Sequence, residues 1–313
     1  MKFSPLFWPV RFKDNTIYVL DETLLPNKVH YIKVRTYQEA CAAIKQMKTR
    51  AVGQVTLVFY TFLLVLQKNK NKKDLMPVLE KVAKAINATR PTLSFKYLTD
   101  MVLGWAKSGV PLQNNITRFL EALKNKRIQQ AEEASLLVND GDTILTHCNV
   151  SGLMPLIGEF CAAQGKKVEF FTTETRPYLQ GARLTAWELK QEGFKVTVIC
   201  DSTVAMLLAQ GKVNKIIVGA DHLAQNGDIA NKIGTYQIAI LAKHFNIPFY
   251  VLCPPPSRAA SGKDIQIEVR PEKELLEFNG KRLAPLGVKG YYPAFDITPN
   301  ELITEHIYLK IDR

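Results

Sequence analysis

With 313 residues, 47% apolar and 22% charged, the chain has the makeup of a globular protein of about two domains, which excludes a disordered or collagen-like chain. Lysine and arginine outnumber aspartate and glutamate by 41 to 29, a net charge of +12; this favours anionic partners but does not separate sugar phosphate, nucleotide, nucleic acid and membrane surface. Five cysteines (Cys41, Cys148, Cys161, Cys200, Cys253) form no CxxC pair, a poor disulfide framework that points to a reducing cytoplasm. The opening MKFSPLFWPVRF sets Pro5, Pro9 and Arg11 where a cleavable signal needs an unbroken apolar core. The longest largely apolar run, Val55 to Leu66, falls well short of the roughly 20 residues that span a bilayer.

A short β segment is predicted first, at Thr16–Leu20, between Asp14-Asn15 and Asp21-Glu22. From Tyr37 to Met47 apolar residues recur at three- and four-residue spacing, the pattern of a helix. Val55–Leu66, Leu75–Ile86, Thr92–Trp105 and Ile116–Ala134 continue it, so residues 36–135 read as mostly α. Lys68, Lys70, Lys72 and Lys73 fall between two of these helices and read as a solvated turn, because no aromatic residues interleave with them.

Near residue 140 the rhythm changes. Thr143–Cys148, Lys167–Thr172, Lys195–Cys200, Lys215–Val218 and Pro248–Cys253 read as buried strands. The helical stretches Gly152–Gln164, Pro177–Glu192, Val204–Gln210 and Lys232–Phe245 separate them. That alternation predicts βαβ units and a mainly parallel sheet. The expected organisation is an N-terminal mostly helical domain over 1–135, with a short β segment at its start, and an α/β domain over 136–313.

Ligands of such sheets collect beyond the carboxyl ends of the strands. The strand ends here carry His147-Cys148-Asn149, then Thr173 to Arg176 with Gln180 to Arg183, then Gly219-Ala220-Asp221, then Asn231-Lys232. Each has a plain structural reading. A strand-terminal cysteine is most often a small buried apolar residue, and Asp221 suits a helix cap. Glu174 and Arg176 suit an ion pair, and His147 a packed histidine. Residues 231–235 suit a helix start, whose N–H groups also favour a phosphate. No GxGxxG, GxxxxGK[ST] or GxSxG is present. No metal is expected, since nothing shares a metal-site spacing with His147.

Longer blocks carry a resemblance. Thr-His-Cys-Asn (146–149), Glu-Thr-Arg-Pro-Tyr-Leu-Gln-Gly-Ala-Arg-Leu-Thr-Ala-Trp-Glu-Leu (174–189), Val-Gly-Ala-Asp (218–221), Asn-Gly-Asp-Ile-Ala-Asn-Lys-Ile-Gly-Thr-Tyr (226–236), Ile-Pro-Phe-Tyr-Val (247–251) and Pro-Ala-Phe-Asp-Ile-Thr-Pro (293–299) closely resemble the methylthioribose-1-phosphate isomerase family. That family is related to the regulatory subunits of the eukaryotic translation-initiation exchange factor. Weaker echoes are Leu20 to Pro26 and Thr89-Arg90-Pro91-Thr92.

The resemblance implies an N-terminal helical domain, a Rossmann-like C-terminal domain and a homodimer. It also implies a phosphorylated sugar as substrate and no cofactor; membrane and nucleic acid are not expected partners. Cys148 and Asp221 match the family's catalytic pair. Arg50, Arg90, Gln180, Asn231 and Lys232 match its phosphate and sugar contacts. On this reading Asp221, in dry surroundings, begins protonated and donates to the departing ring oxygen. Cys148 removes the C2 proton or steadies charge during a hydride shift.

Two departures border the implied pocket. The family's Arg-Gly-Ala-Pro-Ala is replaced by Arg50-Ala51-Val52-Gly53-Gln54, and Ala51 does not take positive φ cheaply. Val150 to Pro155 replaces a run of small residues. They keep two other readings open. One is an isomerase of another ribose 1-phosphate derivative, such as 5-deoxyribose 1-phosphate or ribose 1,5-bisphosphate. The other is a non-catalytic regulatory protein that binds a sugar phosphate or nucleotide.

Overall fold

The computed structural model describes residues 3–72, 74–90, 95–278 and 280–310. The chain packs as two units, one ending at Arg127 and one beginning at Ile128.

In the first unit, β1 (Val10–Lys13), β2 (Thr16–Leu20) and β3 (Tyr31–Val34) pair antiparallel, with Val10 opposite Val19 and Leu20 opposite Tyr31. Only β2 was expected. Asp14 and Asn15, at φ 49° and 54°, make the two-residue turn from β1 to β2, a place where short polar side chains tolerate the left-handed region. Helices α1 (Tyr37–Lys45), α2 (Val52–Lys68), α3 (Met76–Asn87) and α4 (Lys96–Lys107) follow, and α5 (Leu112–Leu136) carries the chain into the second unit. Thr36 caps α1, its Oγ1 accepting the Glu39 N–H at 3.1 Å. The start expected for α4, Thr92, lies outside the described residues, as do Pro91 and Lys73.

The apolar run of the sequence is the middle of α2, where Leu57, Val58, Phe59, Phe62 and Leu64 are fully buried. A helix apolar on all sides is a core helix when other elements surround it. Among the described residues no helix is long and apolar enough to cross a membrane.

The second unit contains, in chain order, β4 (Thr143–Thr146), α6 (Leu153–Ala163), β5 (Glu169–Thr173), α7 (Ala186–Gln191), β6 (Val196–Ile199), α8 (Val204–Ala209) and β7 (Lys215–Gly219). Then come β8 (His222–Leu223), β9 (Ile229–Lys232), α9 (Thr235–His244), β10 (Phe249–Cys253), α10 (Lys273–Leu276), β11 (Glu277–Phe278), β12 (Lys281–Arg282), β13 (Phe295–Thr298) and β14 (Glu305–Tyr308). Six strands form one sheet in the order β14-β10-β7-β4-β5-β6, and every neighbouring pair is parallel. The fold is therefore α/β with a parallel sheet. Its interior strands β7 and β10 are buried along their whole length, as a sheet covered on both faces requires.

The path through the sheet places the site. From β4 the chain moves outward through β5 to β6, then returns to the other side of β4 with β7 and moves outward again through β10 to β14. The direction reverses between β4 and β7, which makes that boundary the switch point where a crevice opens beyond the strand ends. A small antiparallel sheet, β13-β9-β8, adjoins it. Lys232 ends β9, so the helix expected from Lys232 begins instead at Thr235.

Candidate active site

Cys148 follows β4 and Asp221 follows β7, the two strands that flank the switch point. Their register sets Ile144 beside Lys215 and Leu145 beside Ile216, so the two residues leave neighbouring strands at the same rim. The strands touch beyond the ladder as well: a Cβ at Gly219 would lie 2.6 Å from Val150 Cγ1. The valine that departs from the family pattern therefore fills the space left open by Gly219.

Cys148 is buried, at φ 65°. Its backbone is held from both sides. The N–H donates to Thr175 Oγ1 at 2.9 Å, and the carbonyl accepts from Thr185 Oγ1 at 2.6 Å. The Asn149 amide donates to Thr185 Oγ1 (3.0 Å) and to the buried carboxylate of Glu188 (2.8 Å), while its oxygen accepts the Ser151 N–H (3.0 Å). Ser151 and Gly152, both at positive φ, then turn the chain into α6, whose N-terminal end favours negative charge near the loop. Asp221 is exposed. The dry surroundings expected for it are absent, and its backbone N–H donates to the Ala230 carbonyl at 2.9 Å.

Beyond β5, both N–H groups of Thr175 and Arg176 donate to the Asp201 carboxylate at 2.7 Å. The helix expected over Pro177–Glu192 is interrupted: Pro177 to Leu179 form a turn, and Gly181–Thr185 wind as one π turn ahead of α7. Such turns recur at functional sites because they re-aim side chains. Gly181 permits this one, since a Cβ there would run into the Thr173 carbonyl oxygen. Gln180 is buried, and its Oε1 has no hydrogen-bond partner among the described residues. A buried orphan acceptor is costly unless a ligand supplies the donor.

On the far side of the switch point, Asn231 donates to Thr235 Oγ1 at 3.0 Å. The buried Lys232 ammonium lies 4.5 Å from the centre of the Phe295 ring. The first turn of α9, expected to favour a phosphate, already holds an anion. Asp296 on β13 accepts the Gly234 N–H at 2.7 Å and the Tyr236 N–H at 3.1 Å. Burial pushes this carboxyl up to about 6, against the pull of those N–H groups and of Lys232.

In the first unit, Arg50 is buried and its Nε donates to Glu22 at 3.1 Å. Glu22 also accepts from the Arg50 N–H (3.0 Å) and Thr49 Oγ1 (2.6 Å); burial raises its carboxyl while Arg50 pulls it down. Arg90 donates to Gln54 Oε1 at 3.1 Å. Arg50 is thus tied to the turn after β2, and Arg90 to the first turn of α2.

A sequence profile of the Initiation factor 2 subunit family matches residues 51–308. The chain belongs to that family. Within it, the chain is 39% identical to a methylthioribose-1-phosphate isomerase of Desulforudis audaxviator, over 97% of this chain and 92% of the relative. It is 36% identical to a 5-deoxyribose 1-phosphate isomerase of Bacillus cereus, over 96% and 94%. Two solved structures superpose with a TM-score of 0.83: a 5-methylthioribose 1-phosphate isomerase of Pyrococcus horikoshii (32% identical, 98% and 93% covered) and the delta subunit of translation initiation factor eIF-2B of A. fulgidus (33%, 97% and 94%). The family fold thus accompanies more than one activity, and function has to be argued from the site.

The second unit brings Cys148, Asp221, Gln180, Asn231 and Lys232 to the carboxyl ends of β4, β5, β7 and the neighbouring β9. The sequence does not single out Glu22, which holds Arg50, nor Thr175, Thr185 and Glu188, which hold the Cys148 loop, nor Asp296, which holds the turn after Lys232. All five lie inside the quoted blocks, which was the available signal. Among the described residues no group of His, Cys, Asp and Glu is arranged to hold a metal ion.

Proposed function

We propose that this chain is an aldose–ketose isomerase that converts 5-methylthioribose 1-phosphate to 5-methylthioribulose 1-phosphate, a step of methionine salvage, as a cytoplasmic homodimer. The observation that carries the reading is the pairing of Cys148 and Asp221 across the switch point. A purely regulatory member has no need of a thiol and a carboxyl at that place.

The phosphate on O1 blocks simple opening to a free aldehyde, so the ring opens with the phosphate attached. Asp221, covered once substrate fills the rim and displaces water, gives its proton to the ring oxygen as the bond from C1 to that oxygen breaks. The hydrogen at C2 moves to C1 and the C2 hydroxyl returns a proton to the Asp221 carboxylate as the ketone forms, so substrate and product are isomers and the enzyme is regenerated. Cys148 takes the C2 proton and returns it at C1, or steadies charge while hydride shifts directly; deuterium appearing at C1 in D2O separates the two. Arg50, Arg90 and Lys232 are the cations assigned to the phosphate. Gln180 Oε1 accepts from a sugar hydroxyl, and Asn231 orients the sugar.

The test is turnover of methylthioribose 1-phosphate followed by ³¹P NMR, with wild type beside Cys148→Ser and Asp221→Asn. Each variant loses at least the roughly 10²–10⁴-fold supplied by an acid or base. A folded wild type inert on this substrate would sink the reading. The Bacillus cereus relative favours a second substrate, 5-deoxyribose 1-phosphate, which differs only at C5. The ratio of kcat/KM on the two compounds decides between them.

A further inference from the structure

Beside Cys148 lies a residue that the mechanism leaves unused. His147 is buried and links two parts of the site. Its Nε2 is 2.9 Å from the carbonyl oxygen of Ile233, in the turn that follows Asn231 and Lys232. Its Nδ1 is 2.7 Å from Thr173 Oγ1, which is 3.0 Å from Thr175 Oγ1, and this last oxygen accepts the Cys148 N–H.

The two ends of this chain fix its direction. A carbonyl oxygen only accepts, so Nε2 carries the ring proton. Burial brings His147 down to about 4, with Asp201 and Lys232 pulling in opposite senses. The ring is therefore neutral at pH 7, and its Nδ1 only accepts. Thr173 must then donate to Nδ1. Thr175, accepting from Cys148, gives its proton to Thr173; the competing Thr173 carbonyl lies at 3.5 Å, the outer limit of a hydrogen bond. One polarity runs throughout, from the Cys148 N–H through Thr175 and Thr173 to His147 and on to the Ile233 carbonyl. Gly234, at φ 102°, gives the ring its seat, since a Cβ there would lie 3.3 Å from His147 Cε1.

We propose that His147 is a positioning residue: a neutral strut that sets the left-handed backbone of Cys148 and the turn after Asn231 and Lys232 at a fixed separation, taking no part in proton transfer. The inference rests on the isomerase reading of this site for its effect on rate. The hydrogen-bond chain itself does not need that reading.

Selective ¹⁵N labelling of histidine tests the chain directly by NMR. The expected spectrum shows His147 as the Nε2–H tautomer at pH 7, with Nδ1 accepting; an Nδ1–H tautomer or a charged ring overturns the proposal. For the rate, Thr173→Val deletes one link at constant shape. Its kcat should fall about 10²-fold, the scale of a small misplacement of reacting groups, and should recover in Thr173→Ser. His147→Gln keeps a donor for Ile233 but loses the Thr173 link, and should lower kcat while leaving both limbs of the kcat/KM pH profile in place. Loss of a limb would make His147 an acid or base, and a Thr173→Val enzyme with wild-type kcat would make the chain irrelevant to rate. A wild type inert on sugar phosphates would count against the isomerase reading alone, with the tautomer still deciding the strut.

Discussion

Ala51 enters the first turn of α2 at φ 43° and ψ −120°, a region that costs a residue with a Cβ on the order of 1–3 kcal/mol. Its Cβ argues against positive φ, yet the chain adopts it there. Ala51→Gly should raise unfolding stability by about 1 kcal/mol, because the relieved strain exceeds the entropy that glycine adds to the unfolded chain. Denaturant unfolding with an unchanged or lower midpoint would show that the backbone there is not strained. Two titrating groups give a second prediction. The unfolded chain protonates His147 near 6.5, but the folded chain does so only near 4, so this group costs stability as pH falls between those values. Asp296 acts in the opposite sense: folded it takes its proton near 6, unfolded near 3.8, so stability rises as pH falls through that window. Each slope is about 1.4 kcal/mol per pH unit, and the two oppose each other between pH 4 and 6. Asp296→Asn should therefore lose stability faster than wild type on acidification from pH 6 to 4, measured by urea unfolding at several pH values. Parallel curves would mean that Asp296 titrates normally.

The π turn at Gly181–Thr185 is the element on which the cysteine loop rests. Glu188→Leu leaves the Asn149 amide short of a buried acceptor, at a cost of about 1–3 kcal/mol, and should lower kcat because the same amide braces the residue after Cys148. Thermal melting and turnover of that one variant check both halves; an unchanged melting point would remove Glu188 from the argument. Strands of the parallel sheet were legible because burial on both faces turns them into continuous apolar runs, as in Lys215–Val218 and Pro248–Cys253. β14 was not, since Glu305 and His306, one on each face of the sheet, leave this edge strand without a continuous apolar run. β9 was hidden for another reason: its partner β13 lies more than sixty residues later, and Asn231-Lys232 abuts a genuine helical pattern. At the site, placement on the rim could be read from strand ends. The supports at Thr175, Thr185, Glu188 and Asp296 could not, because a side chain bonded to a partner distant in the sequence leaves no periodic trace. The phosphate expected at the start of α9 was a fair reading of exposed N–H groups, and Asp296 had taken them.

At the scale of the whole molecule, the excess of 41 basic over 29 acidic residues suits a phosphorylated ligand, and binding to the folded state alone must raise its stability by mass action. Methylthioribose 1-phosphate should therefore raise the melting temperature of Cys148→Ser, which does not consume it, more than unphosphorylated methylthioribose at equal concentration. Added salt should shrink the difference. Equal shifts would detach the phosphate from Arg50, Arg90 and Lys232. The strand order also sets when this protein becomes competent during its synthesis. Cys148 and Asp221 leave the ribosome first, but the carboxylate that caps α9 is residue 296, and β10 gains its outer neighbour only with residues 305–308. Gln130 likewise waits for the Ile307 carbonyl, 177 positions downstream. Until that last stretch appears, a nascent chain holds both proposed reacting groups on a sheet with a raw apolar edge, a form for chaperones to shield and one without a finished site.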